Sequence, residues 1–318
     1  MKRLYALALL ALFCPVSFAE TPPSPPTTDW ASDEVVVVAA QAPGPAFWHL
    51  KKGDSEIWIL GTLGPMPEKL AWNSTHLSTL IDGAKAVLLP PEASAGFFET
   101  SWFLLTHRGL LSMPDGKTLE ETLPADLKAR FVAARELAKR DAGRYADDPP
   151  IIAAMRLQED FNKANGLWRD EPRRTIEKIA DAKHVEVRKI ASYGALALVK
   201  EFLRLPMPAQ QACLADAVAE VEARSVHAVP AAEAWAVGDL KGIKAHYVSP
   251  GMERCAKATV SFNKLYDRGV ADYLKAIEEA LSKPGKTVLV TEIGPLLRSS
   301  GVVDKLRAEG VAIEGPGE

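Results

Sequence analysis

The chain opens its folded part with runs of apolar residues too short for helices. Phe47–Leu50 and Glu56–Leu60 are rich in aromatic and β-branched residues, and the polar Lys51–Ser55 lies between them. That pattern predicts a β-hairpin. Ile57, Trp58, Ile59 and Leu60 are consecutive apolar positions, as in a strand covered on both faces. Gly61-Thr62-Leu63-Gly64-Pro65 follows, and its glycines allow a sharp turn. The period then lengthens. Leu77, Leu80 and Ile81 share one helical face, with Asn73 or Ser74 as N-cap and Gly83 as terminator. Ala86–Leu89 returns to a continuous apolar run and predicts a third buried strand. Strand, glycine turn, helix and strand make a βαβ unit, in which function sits beyond the carboxyl ends of the strands. Here those ends are Gly61–Pro65 and Pro90–Glu92.

Helical periodicity dominates the middle. Phe97–Leu111 carries Phe98, Trp102 and Leu105 at helical spacing, and Thr118–Glu121 has the form of a capping box. Pro124–Lys139 places Leu127, Phe131, Ala134 and Leu137 on one stripe. Further helices are predicted from Pro149-Pro150 to about Asn165 and over Thr175–Ala182, Gly194–Leu205, Pro208–Arg224, Pro230–Leu240 and Cys255–Leu281. Val185–Ile190 alternates and predicts a strand.

The β rhythm comes back at the end. Thr287–Val290 predicts a buried strand, Glu292–Ser300 a turn, Gly301–Glu309 a helix and Gly310–Glu314 a short strand. Both chain ends therefore read as strand–turn–helix–strand, and sharing one sheet avoids unpaired edges. The expected fold class is α/β: a mixed sheet built from the two terminal units, with a large helical insertion.

Composition changes this picture at the amino terminus. Lys2 and Arg3 precede the apolar Leu4–Phe13, and Ser17-Phe18-Ala19 fits a small-x-small cleavage site. Residues 1–19 read as a signal peptide, with export to a bacterial periplasm as the expectation. Residues 20–45, rich in Pro, Thr, Ser and Ala, read as an extended, mostly disordered linker, with Glu34–Ala40 as an isolated β segment. One domain is expected over 46–318, and no transmembrane span in the mature chain. A formal charge of -3 gives no electrostatic footprint for nucleic acid. Beyond the leader, Cys213 and Cys255 remain. In an oxidising compartment they are expected to pair, closing a loop of about 43 residues worth roughly 4 kcal/mol at the upper end.

No HExxH spacing links the six histidines, and no G-x-S-x-G, GxGxxG or Walker loop occurs. The matching signal is one of order and spacing. WILGTLGPMP at 58–67, LYDRGVADYLKAIEEAL at 265–281 and GVVDKLRAEGVAIE at 301–314 together resemble the TraB/GumN family, which includes the TIKI-type metalloproteases. The resemblance implies a divalent metal held by two Gly-x-x-His turns and strand-end glutamates, activating water for hydrolysis. This chain departs from that pattern. Gly61 and Thr62 remain, but Gly64 stands at the first histidine position. Pro90 replaces one glutamate and Ala191 another. Glu292 takes the glycine place and Pro295 the histidine place of the second turn. Arg268 is kept, with Gly269 beside it where Asn is expected.

The reading that follows is a catalytically inactive binding or scaffold protein with no metal, whose vestigial groove is formed by 61–67, 90–92 and 292–300. Its partner is an unidentified protein or peptide. One alternative is a metal-dependent hydrolase or peptidase with relocated ligands, such as His76, Glu68 and Glu92, or an acid/base pair of Glu92 and Glu292. Trp72 is a candidate lining residue. Another alternative is a partner-binding module using residues 97–240, which predicts an exposed apolar patch there.

Overall fold

A computed structural model describes residues 43–168, 171–298, 302–308 and 311–316. The expected leader and nearly all of the linker, with its β segment, lie outside the described residues. Ten strands occur among them. They are β1 (Phe47–Lys52), β2 (Ser55–Thr62), β3 (Met66–Pro67), β4 (Ala86–Leu89), β5 (Glu92–Ser94), β6 (Leu167–Trp168), β7 (Glu186–Lys189), β8 (Ser192–Gly194), β9 (Gly285–Glu292) and β10 (Ala312–Glu314). The fold is α/β, with a mixed sheet and a large helical part.

The main sheet runs β10-β1-β2-β9-β4-β7. β1 is antiparallel to both neighbours, while β2, β9, β4 and β7 are parallel. The two chain ends thus share one sheet, and β9 lies between the two strands of the amino-terminal βαβ unit. All four residues of β4 are buried, as are five consecutive residues of β9, so both faces of the sheet's middle are covered. Edge strand β7 is mostly exposed and carries Glu186, Arg188 and Lys189, charges that discourage edge-to-edge pairing.

The core around this sheet joins Leu50, Ile57, Ile59, Val87, Val288 and Leu289 to Leu77 and Ile81, Ile176, Trp235, Ile243 and Ile277 from surrounding helices. Burying one such side chain contributes about 1.5–3 kcal/mol. A second cluster, with Phe131, Leu157, Phe161 and Val221, holds the helical part together. A third gathers Phe103, Ile151 and Leu203 around Cys213 and Cys255, which form the disulfide with Cα atoms 5.3 Å apart.

The helical boundaries differ from the sequence pattern in three places. Pro208–Arg224 and Pro230–Leu240 are not separate: one helix, Met207–Ala236, runs through Pro230. The proline removes one backbone bond, but Ala231, Ala232 and Trp235 beyond it are buried, and that packing outweighs the loss. A shorter helix, Leu240–His246, follows. Gly194 ends β8 rather than starting a helix, which covers Leu196–Leu203 instead. The stretch from Cys255 is broken at Thr259, which caps Val260–Leu281 by accepting from the Phe262 N–H at 3.4 Å. The expected box at Thr118 is present, its N–H donating to Glu121 at 2.8 Å.

One helix faces solvent with apolar side chains. On Phe97–Thr106, Phe97, Phe98, Trp102 and Leu105 are 77, 84, 68 and 53% exposed.

Candidate functional site

Strands β2 and β9 pair in register up to their carboxyl ends, so Thr62 stands opposite Glu292. The Thr62 hydroxyl donates to the Thr291 carbonyl at 3.1 Å. After Thr62 the chain turns through a cis Gly64–Pro65 bond into β3. Above this corner lies a cavity of about 50 Å³, room for a few waters. Its lining takes Thr62, Gly64 and Glu292 from the strand ends. Arg224 and Ala231 come from the long helix, and His246 and Tyr247 from the segment after Leu240.

The walls are tightly fitted. Trp235 is fully buried and donates its indole N–H to the Gly61 carbonyl at 2.7 Å. A Cβ on Gly61 would lie 2.8 Å from Ile293 and 3.0 Å from Leu296, so only glycine fits under the helix Ile293–Leu297. A Cβ on Gly294 would lie 2.2 Å from the Tyr247 hydroxyl. The Tyr247 phenol therefore sits directly against the second turn. Burial pushes its pKa up to about 12, against the opposing charge of Arg298.

The polar groups of the wall are anchored from behind. Arg224, buried, pairs with Glu220 one turn away and donates to the Asn162 side chain at 3.3 Å. Glu220 also accepts from Gln158 and from the Gly251 N–H. The buried His227 meets His246 with Nδ1 atoms 3.1 Å apart. The buried charges of Arg224 and Glu220 are thus paired and oriented.

The remaining expected site residues lie elsewhere. β9 separates β2 from β4, which carries Pro90 and Glu92 away from the cavity. Glu92 opens β5, paired to β8 through Ser192. The Lys189 ammonium, 2.6 Å away, holds its carboxyl below the ordinary value, with Arg173 at 3.7 Å assisting. The 90–92 side of the expected groove is thus replaced by the long helix and residues 246–250. Arg268 is exposed and lies over the Tyr193 ring at 5.0 Å, while the Tyr193 hydroxyl donates to Asp272 at 2.6 Å. Pro295 lies half-buried in the helix Ile293–Leu297.

The alternative ligand sets fare similarly. His76 packs edge-on against Phe47 and Trp58, at 5.1 and 6.0 Å, and burial lowers its pKa. Glu68 is tied through its backbone N–H to Gly166. Trp72 packs on Trp235 at 5.2 Å and is not among the cavity-lining residues. Among the described residues no three His, Cys, Asp or Glu side chains converge as metal ligands. The residues at the implied metal positions, Gly64, Pro90, Ala191 and Pro295, offer no ligand side chain, so this site does not fit the divalent ion.

Arg224, His246 and Tyr247 give no local signal in the sequence, since helix packing alone brings them to the strand ends. What the corner offers chemically is one carboxylate, one anchored guanidinium, an imidazole and a phenol around a small cavity of mixed polar and apolar lining.

No curated protein and no solved structure matches the chain. A family model does, over residues 46–315, from the start of β1 to just past β10. With both ends of the chain meeting in one sheet under that single match, this protein belongs to the TraB/PrgY/gumN family.

Proposed function

We propose that this chain is an exported, catalytically inactive member of its family, and that its strand-end cleft binds rather than hydrolyses. The observation that carries the reading is the way the corner is filled. Tyr247 presses on Gly294, Ile293 and Leu296 cover Gly61, and Trp235 bonds the Gly61 carbonyl. Side-chain packing covers Gly61 and Gly294 beside the two turns and leaves only a cavity of about 50 Å³ next to Gly64. Glycine and proline at 64 and 295 cannot ligate or titrate, so neither residue supplies a general base or holds a metal-bound water. A small cleft of mixed lining with an anchored arginine suits recognition of a single polar group, such as one presented by a peptide.

The test is the metal content of the purified protein by mass spectrometry after dialysis, with peptide hydrolysis assayed alongside. The expected result is sub-stoichiometric zinc, manganese and iron, with no hydrolysis above buffer after adding any of them. Near-stoichiometric metal, with hydrolysis that a chelator abolishes, overturns the proposal in favour of a hydrolase with relocated ligands. Export is checked separately. Protein recovered from the periplasm should begin at Glu20.

A further inference from the structure

We propose that the helix Phe97–Thr106 is the surface through which two copies of this chain associate. The surface lies outside the cleft and does not depend on the cleft's chemistry.

At about 100° per residue, Phe98, Trp102 and Leu105 fall within about 60° of one another, and Phe103 points away from them. Phe103 is 3% exposed and seated among Ile151, Leu203 and the Cys213–Cys255 disulfide, with the Lys200 ammonium 5.2 Å from its ring. The helix is thus moored on one side and presents Phe97, Phe98, Trp102 and Leu105 to water on the other. Aromatic side chains bury about 150–250 Å² each, so at these exposures the helix offers on the order of 500 Å² of apolar surface. That is at the upper end of the largest patch on a typical monomer, about 300–600 Å². Four large apolar side chains exposed together on one helix are a surface that a partner can cover.

The area and the spacing of the seam favour a second copy. Two such faces bury roughly 1,000 Å² in total, the lower bound for a specific interface. Phe98, Trp102 and Leu105 stand at i, i+4 and i+7, a seam able to interlock with itself. The helix carries one charged residue, Glu99, and Arg108 follows its end. A two-fold axis near Trp102 sets the helices antiparallel. A lipid surface is served less well, because membrane-seeking helices line their polar face with Lys or Arg and this one has neither.

The test is sedimentation velocity on protein expressed from the full chain, over a range of concentrations. Phe98→Ser/Trp102→Ser is the interface variant, and its thermal melt reports folding. Both residues lie in solvent, so the melt should be unchanged at concentrations where the parent is monomeric. The expected result is a dimer at tens of micromolar for the parent and a monomer for the variant. A parent that stays monomeric to about 100 µM overturns the proposal, as does a dimer the interface variant leaves intact. Monomeric protein that floats with phosphatidylglycerol vesicles, and loses this in the variant, assigns the face to lipid instead.

Discussion

Replacing Gly294 with alanine tests the packing around the strand-end cleft. The added Cβ would lie 2.2 Å from the Tyr247 hydroxyl oxygen and 2.8 Å from its Cζ, where non-bonded atoms do not sit. Tyr247 is 7% exposed and part of the main core, so the ring cannot swing into solvent without opening a void. Overpacking of this kind costs about 1–3 kcal/mol. The opposing gain is helix propensity, about 1 kcal/mol for Gly→Ala in a long helix and less in the five-residue Ile293–Leu297. The clash wins, and Gly294→Ala should be destabilised by about 1–2 kcal/mol. Tyr247→Phe removes the nearest atom but leaves Cζ, so it should rescue part of the loss. A double-mutant cycle should give a coupling of at least about 0.5 kcal/mol. Urea unfolding with an unchanged slope is the assay. A Gly294→Ala protein as stable as the parent, or additivity within about 0.3 kcal/mol, would refute the placement of Tyr247 on the second turn.

Two further outcomes follow from the helical part. Cys213→Ser/Cys255→Ser should lose up to about 4 kcal/mol, because the crosslink spans 42 positions and its removal restores chain entropy to the unfolded state. A calorimetric midpoint within error of the parent would contradict this. Asp160→Ala should lose about 3 kcal/mol, since the buried Asp160 carboxylate accepts from Arg140 and Arg144 at 2.7 Å and from Tyr145 at 3.0 Å. Burial raises its pKa, but the hydrogen bonds from Arg144, Arg140 and Tyr145 outweigh that and hold it below the ordinary value. A depressed folded-state pKa stabilises above the ordinary carboxylate range and is lost as pH falls through the folded value. Asp160→Asn should therefore flatten the acid limb of stability against pH, and an unchanged limb would remove Asp160 from the cause.

The elements of the sheet were legible because each has a short, unbroken apolar signature. Ile57–Leu60, Ala86–Leu89 and Thr287–Val290 all became interior strands. Their order was not legible. Nothing local in Gly285–Glu292 says that it enters between β2 and β4. That insertion is what moves Glu92 away from Thr62. Pro230 misled for a related reason: a proline's local effect is visible in sequence, while the burial of Trp235 five residues later is not. Half of the cleft, the glycine turn and Glu292, followed from motif spacing. The other half depends on how Met207–Ala236 lies across the strand ends, a tertiary fact that spacing does not encode.

The central place of β9 also sets the order of assembly. β2 cannot find its parallel neighbour until residues 285–292 exist, so the sheet closes across a separation of 230 positions. Contacts so distant carry a large loop-closure entropy and form slowly unless the intervening chain is already compact. The helices between can collapse first on their own clusters and shorten that loop. During synthesis the amino-terminal strands must wait half-paired, their inner edge open to other chains. A holdase that shields 47–89 until the last strand emerges would raise the yield of folded protein more than one that binds the helical middle.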